Sequence, residues 1–183
     1  MNVTPDLDAR FREVALREGL VDVRYDIVDS PIGGLLVAAT ERGLARIYFD
    51  PEGREDDLAA IFGVRVLRVP LDEVRRELDE YFAGSRTSFD LPLDLRVAPF
   101  HAEVLRELAL VPYGRTSTYG TLAANVGRPR AARAVGTVMN RNPIPIVLPC
   151  HRVLGANGAL TGYAGGLDVK RRLLELEGAT LPA

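Results

Sequence analysis

Residues 117–142 read STYGTLAANVGRPRAARAVGTVMNRN, and this stretch has the pattern of two short helices joined by a tight turn. The first opens at Ser117 or Thr118, either of which can cap a helix N-terminus with its hydroxyl, and it stops at Gly127. The second is expected over residues 128–142, with Pro129 in its first turn, where a missing N–H costs nothing. Two short helices across a glycine turn make a helix-turn-helix. Small side chains from Ala131 and Ala132 to Val138 let the second helix approach another surface closely, and Arg128, Arg130, Arg133 and Arg141 surround them. Two surfaces suit such a face, a neighbouring helix or a narrow groove walled by phosphates. The four arginines favour phosphates.

Immediately downstream, IPIVLPCHRVLGANG (residues 144–158) holds the only cysteine, Cys150, beside one of the two histidines, His151. A single cysteine excludes an intramolecular disulfide and cannot supply half of a CxxC clamp, so no metal is expected. A lone cysteine ending an apolar run is commonly a small buried hydrophobe. Three features point instead to a reactive thiol. Pro145 and Pro149 stiffen the run, so that a strand there is confined to an edge or ends at the cysteine. His151 can act as a base or relay to one. Gly155, Gly158, Gly162, Gly165 and Gly166 then permit close approach of a flat ligand to the backbone. In an extended segment neighbouring side chains face opposite ways, which favours a water-mediated over a direct Cys–His contact. These residues leave the reaction itself open.

Upstream, VRYDIVDSPIGGLLVAATERGLARIYF (residues 23–49) alternates as three strands, with turns at residues 30–34 and 41–43, a small antiparallel meander. Before it, residues 5–19 place Leu7, Phe11, Val14 and Ala15 at helical spacing, an amphipathic N-terminal helix. After it, LDEVRRELDEYFAG (residues 71–84) carries Leu71, Val74, Leu78 and Phe82 on one helical face. SRTSFDLPLDLRVAP (residues 85–99) reads as a connecting strand or linker. A helix with Phe100, Val104, Leu105 and Leu108 inward leads into the helix pair. The chain is thus divided into an N-terminal unit, residues 1–93, and a C-terminal unit, residues 94–183.

With 47% hydrophobic and 26% charged residues, the 183-residue chain suits a soluble protein with a real core. It shows no signal peptide and no membrane-length apolar run, which, with a reduced lone thiol, makes a cytoplasmic location the expectation. The net charge of −2 hides an asymmetry. Residues 1–100 hold 20 acidic against 13 basic side chains, and residues 101–183 hold 5 against 10. The basic half fits a polyanionic partner.

Pro149-Cys150-His151-Arg152-Val153, with Asn142-Pro143-Ile144-Pro145 before it and Gly162-Tyr163-Ala164-Gly165-Gly166-Leu167 after it, closely resembles the O6-alkylguanine-DNA alkyltransferases. The resemblance reaches back through residues 131–136 and 118–120 to Pro112-Tyr113-Gly114, and forward through Lys170 to Gly178. In the N-terminal half it holds only in outline, around Asp29-Ser30-Pro31-Ile32-Gly33.

The resemblance implies an α+β fold, with a small antiparallel ribonuclease H-like sheet followed by a mostly helical, winged helix-turn-helix domain. It also implies direct reversal of DNA damage. Cys150 takes the alkyl group from guanine O6 (O4-alkylthymine being a further candidate substrate) once and irreversibly, with no cofactor and no resolving cysteine. Activation runs through a water to His151 and on to Glu177, and Asn142 holds the preceding turn. Arg133 enters the base stack as the lesion is flipped out, and Tyr119 meets the rotating phosphate and hydrogen-bonds guanine N3. Ala131, Ala132, Thr118, Arg128 and Arg130 lie on the DNA-binding face. Arg115, where an acid is common in relatives, adds a phosphate contact. Met139, Val153, Tyr163 and Ala164 line the base pocket. The implied partner is duplex DNA carrying alkylated bases, met from the minor groove by a monomer that needs no protein partner and no membrane. Two other functions remain open to the residues: a lesion sensor without transfer, and a Cys150–His151–Glu177 hydrolase.

Overall fold

The computed structural model describes residues 5–63 and 65–180, with side chains from Arg10 onward except at position 64. In chain order the elements are α1 (Pro5–Arg17), β1 (Val23–Val28), β2 (Leu35–Thr40), β3 (Gly43–Phe49), α2 (Arg54–Phe62), β4 (Val66–Arg68), α3 (Asp72–Phe82), α4 (Pro99–Ala109), β5 (Ser117–Thr118), α5 (Tyr119–Asn125), α6 (Ala132–Asn140), a 3₁₀ turn (Cys150–Arg152), β6 (Val153–Leu154) and α7 (Leu167–Leu176).

The expected meander forms, with β1–β2 and β2–β3 antiparallel. The sheet is nevertheless mixed, because β4 adds to β1 in parallel, giving the order β3-β2-β1-β4. The sequence gives no warning of β4 or α2, since three residues of strand carry too short a period to read. All six β2 residues are buried, since both faces of the sheet are covered. Leu36 and Ala38 pack with Leu58 of α2 on one face, while Leu35, Val37 and Ala39 enter the main core on the other. That core runs on through Leu78 and Tyr81 of α3, Leu105 of α4, Leu122 of α5, Val135 of α6 and Leu173 of α7. The two halves of the chain therefore share one interior.

β3 is an edge strand whose exposed backbone groups are taken up by loops. Leu44 and residues 92–94 exchange backbone hydrogen bonds, and Ile47 donates to the Pro143 carbonyl at 2.9 Å. Of the two readings of residues 85–99, connecting strand or linker, the linker is the one that forms. Beyond this single bridge to Leu44 the segment is irregular, with Pro92 lacking a donor for a ladder. Gly43 (φ 133°) is required at this contact, because a Cβ there would lie 2.2 Å from the Pro92 carbonyl oxygen.

α1 forms, but only Ala15 of its expected inward face is buried. Phe11 and Val14 are 64% and 43% exposed, and the side chain of Leu7 lies outside the described residues. On α3, Val74 and Leu78 face inward as expected, and Glu77 and Tyr81 join them. No helix among the described residues is long and apolar enough to cross a membrane.

The helix pair is present as α5 and α6, braced by α4. Thr118 caps α5, its hydroxyl accepting from the Thr121 N–H at 3.0 Å. α6 is shorter than expected and starts at Ala132, so Pro129 lies in the preceding turn and not in the first turn of the helix. Residues 128–131 close that turn through the Ala131 N–H to the Arg128 carbonyl. β5 and β6 pair in parallel as a small wing beside the helices.

Replacing Thr118 with Ala removes the cap, and urea denaturation is expected to register a loss of about 1 kcal/mol without loss of fold.

Candidate active site

The run before Cys150 is a folded turn and not the strand that the sequence suggests. Pro143, Pro145 and Pro149 cannot donate, so the segment cannot join a ladder. Ile146 adopts φ 75°, a conformation a β-branched residue rarely takes, and only the Pro145–Leu148 bridge remains. Asn142 holds the turn from both sides. Its amide donates to the Leu148 carbonyl at 2.7 Å, and its oxygen accepts from the Ile144 N–H at 3.1 Å. The chain then enters the 3₁₀ turn, in which Cys150, His151 and Arg152 are all buried. Cys150 and His151 therefore do not alternate across a strand as expected. The imidazole is directed instead by what holds it.

That holder is Glu177, at the C-cap of α7. An anion at a helix C-terminus opposes the macrodipole, so it persists only with strong partners. His151 Nε2 lies 2.8 Å from Oε1. Arg152 grips both oxygens at 2.9 Å, the Tyr81 hydroxyl donates to Oε1 at 2.7 Å, and the Gly114 N–H donates to Oε2 at 3.2 Å. Gly114 (φ 70°) fits here because a Cβ would stand 2.7 Å from the Glu177 carbonyl oxygen. Burial works to raise the carboxyl pKa, but His151, Arg152 and Tyr81 outweigh it and hold it down at about 2. An ionised carboxylate only accepts, so Nε2 carries the proton in neutral His151. Nδ1, buried without a hydrogen-bond partner, carries the lone pair. Burial also keeps the imidazole pKa below its ordinary value, so His151 rests neutral at pH 7 and is available as a base.

Cys150 is 4% exposed. Burial pushes its thiol up to about 11, only partly offset by the Asn142 amide and the charge of Lys170. The resting thiol is therefore protonated, and reaction requires its proton to be removed. Lys170 is itself fully buried, donating to the Val153 and Thr161 carbonyls at 2.6 and 3.1 Å, and burial lowers it to about 8. It ties the wing to α7 near the thiol.

The remaining expected residues fall into separate places. Tyr119 and Arg133 wall a groove of about 450 Å³ with Gly136, Asn140, Thr161 and Gly162, and the Tyr119 hydroxyl is 2.7 Å from that of Thr161. Ala132 lines the same groove, and Ala131 stands at the N-cap of α6. Cys150 is not among its walls. Met139 and Val153 are buried in the core, Tyr163 packs against Phe49 and edge-on to His151, and Ala164 is exposed. Arg115, Arg130 and Arg133 are exposed, and no ion pair forms at them among the described residues. Arg128 is engaged within the protein, over the Phe100 ring at 4.8 Å and 3.8 Å from Glu103. The Thr118 hydroxyl is committed to its cap.

Tyr81, Arg152 and Lys170 join the site without a signal of their own in the sequence. Tyr81 sits 96 positions from Glu177, beyond any local pattern, and Arg152 stands out only as part of its motif. A lysine on a charged helical run gives no hint of burial.

A family model described as "6-O-methylguanine DNA methyltransferase, DNA binding domain" matches residues 99–179. Its companion, "6-O-methylguanine DNA methyltransferase, ribonuclease-like domain", matches residues 23–95. The chain belongs to the 6-O-methylguanine DNA methyltransferase family. A methylated-DNA–protein-cysteine methyltransferase of Methanosarcina barkeri is 44% identical over 162 residues, covering 84% of this chain and 96% of the relative. The constitutive enzyme of that name from Bacillus subtilis is 41% identical, covering 84% and 94%. Among solved structures, Mycobacterium tuberculosis OGT in complex with DNA superposes with a TM-score of 0.77 at 41% identity, covering 87% of this chain and 96% of that one.

Glu177→Gln leaves the Arg152 charge buried without its counter-ion, an expected loss of about 3–5 kcal/mol at neutral pH. Because the folded pKa of about 2 lies below the ordinary 4.5, the native carboxylate contributes this stability above pH 4.5. The difference between native protein and variant should therefore shrink as pH falls from 4.5 toward 2, which denaturation curves across that range would show.

Proposed function

We propose that this protein reverses O6-alkylation of guanine in duplex DNA by moving the alkyl group, once, onto Cys150. The Cys150–His151–Glu177 arrangement carries the reading: a neutral buried thiol beside a neutral imidazole whose Nδ1 lone pair is free and whose Nε2–H is held by a carboxylate. The thiol proton passes through a water to His151 Nδ1. Glu177 stabilises the imidazolium, as the acid member of a hydrolase triad does. The sulfur attacks the alkyl carbon, an S–C bond forms, the C–O6 bond breaks, and the electron pair passes to the guanine ring. A phenol donor from Tyr119 at N3 offsets that charge, and the base then takes up a proton. The product thioether is inert, so each molecule acts once without a cofactor.

A base within the duplex cannot reach a thiol 4% exposed, so the lesion is flipped out. Arg133, exposed on α6 beside the groove, fills the vacated stack. The small face around Ala131 and Ala132 admits α6 to the minor groove, with Arg115 and Arg130 on phosphates. Arg128 contributes through its hold on α4 and less through DNA. Met139, Val153, Tyr163 and Ala164 shape the slot for the base once it is occupied. Residues 1–93 and 94–183 act as supporting and transferring halves of one cytoplasmic monomer that needs no partner but DNA.

Incubation with a duplex containing O6-methylguanine should add a single methyl mass to the peptide bearing Cys150, at most once per molecule. Repeated turnover, or lesion binding with no mass gain, would overturn the assignment in favour of a hydrolase or a sensor. Arg133→Ala is expected to slow duplex repair by an order of magnitude or more while sparing reaction with free O6-benzylguanine. An equal loss on both substrates would remove its role in flipping.

A further inference from the structure

The N-terminal half carries a basic groove that the alkyl-transfer site does not use. Arg46 and Arg54 flank the ring of Tyr48, their guanidinium carbons 5.7 and 5.2 Å from its centroid. Both, with Arg141 and Asn140 at the end of α6, wall a cavity of about 300 Å³, and no acidic residue is among its walls. Arg46 Nε is buried with no hydrogen-bond partner among the described residues. An unpaired donor of a charged group is costly, and a guanidinium left incompletely paired at the wall of a groove is suited to an anion that enters it. A guanidinium lying over an aromatic ring keeps its N–H edges free, the geometry suited to a phosphate oxygen pair. Arg54 has one acidic competitor, Asp57 at 3.0 Å, in a pair whose members are 40% and 48% exposed and therefore weak. Glu55 on the same helix turns to Tyr25 instead.

Two of the three arginines, Arg46 and Arg54, lie in the acidic half of the chain: residues 1–100 carry 20 acidic side chains against 13 basic. General basicity therefore does not explain them. Asn140 also walls the groove that contains Tyr119 and Arg133, so the two grooves adjoin at the C-terminal end of α6.

We infer that the Arg46–Arg54–Arg141 groove is a second phosphate-binding surface, through which the N-terminal half grips the backbone of the same DNA duplex that α6 engages. This rests on the DNA-directed reading proposed above. The partner is the phosphodiester chain, held without reading sequence.

A protein side chain that neutralises one phosphate of duplex DNA contributes about 0.9 to the slope of log K against log[salt]. The test measures that slope for native protein, Arg46→Gln, Arg54→Gln and the double variant on an O6-methylguanine duplex. The free O6-benzylguanine base, which has no phosphate, monitors the thiol site. The magnitude of the slope is expected to fall by about 1 for each single variant and about 2 for the double. Unchanged slopes in both single variants overturn the inference. If Arg46→Gln disturbs reaction with the free base, Arg54→Gln alone decides, since that side chain is 40% exposed on the surface of α2. Failure of the transfer reading shows differently, as no methyl mass on Cys150 whatever the slopes.

Discussion

The carboxylate of Glu177 is the constraint around which the rest of the structure is arranged. It sits at the wrong end of a helix for an anion, fully inside the protein, and survives by receiving hydrogen bonds from four separate residues of the chain. Tyr81 comes from the N-terminal half, Gly114 from the turn before the wing, and His151 and Arg152 from the turn that carries the thiol. Removing any one donor leaves a charge poorly compensated in a low-dielectric interior, so these segments are held in a single geometry. The fixed tautomer of His151 follows from the same charge. A buried imidazole with Nε2 on the carboxylate and Nδ1 left free is thus a consequence of packing around one anion.

The same burial that fixes the base suppresses the nucleophile. With its pKa raised to about 11, Cys150 is overwhelmingly a thiol at neutral pH, which protects the chain's only cysteine from stray electrophiles and oxidants. In the mechanism proposed above, reactivity is created in the complex, where an occupying base changes the surroundings of the sulfur and His151 takes the proton. A permanently ionised cysteine would be faster with any small electrophile and would be consumed by it. Lys170 tempers this suppression without cancelling it: its charge favours the thiolate, yet burial has already brought its own pKa down to about 8.

Local patterns in the sequence carry much of this architecture, and long-range contacts carry the remainder. The meander and the α5–α6 pair follow from periodicity and turn chemistry, Thr118 is one of the two caps that the sequence offers, and the motif around Cys150 points to the family. Periodicity fails where a local rule meets a tertiary demand. The apolar run before Cys150 looks like a strand, but three prolines and the positive φ of Ile146 make it a turn pinned by Asn142 and by β3. Phe11 and Val14 have helical spacing and stay exposed, since amphipathic spacing shows only that a face could be buried. Tyr81 and Lys170 are invisible for the opposite reason. A core aromatic and a surface-like lysine have ordinary local contexts, and their importance lies in partners far along the chain.

The role of the N-terminal half follows from where its edge strand lies. β3 offers unpaired backbone groups, and the structure uses them to seat the Pro143 turn, through Ile47, ahead of the cysteine. α3 sends Tyr81 to the Glu177 carboxylate, and one hydrophobic core spans both halves. A C-terminal unit alone would therefore keep its recognition helix while losing one donor to Glu177 and the support beneath the turn that aims the thiol. DNA binding and alkyl transfer are in this sense separable demands: the helix pair can be built locally, whereas a buried nucleophile with a buried charged partner needs a second layer of structure behind it. The antiparallel meander supplies that layer.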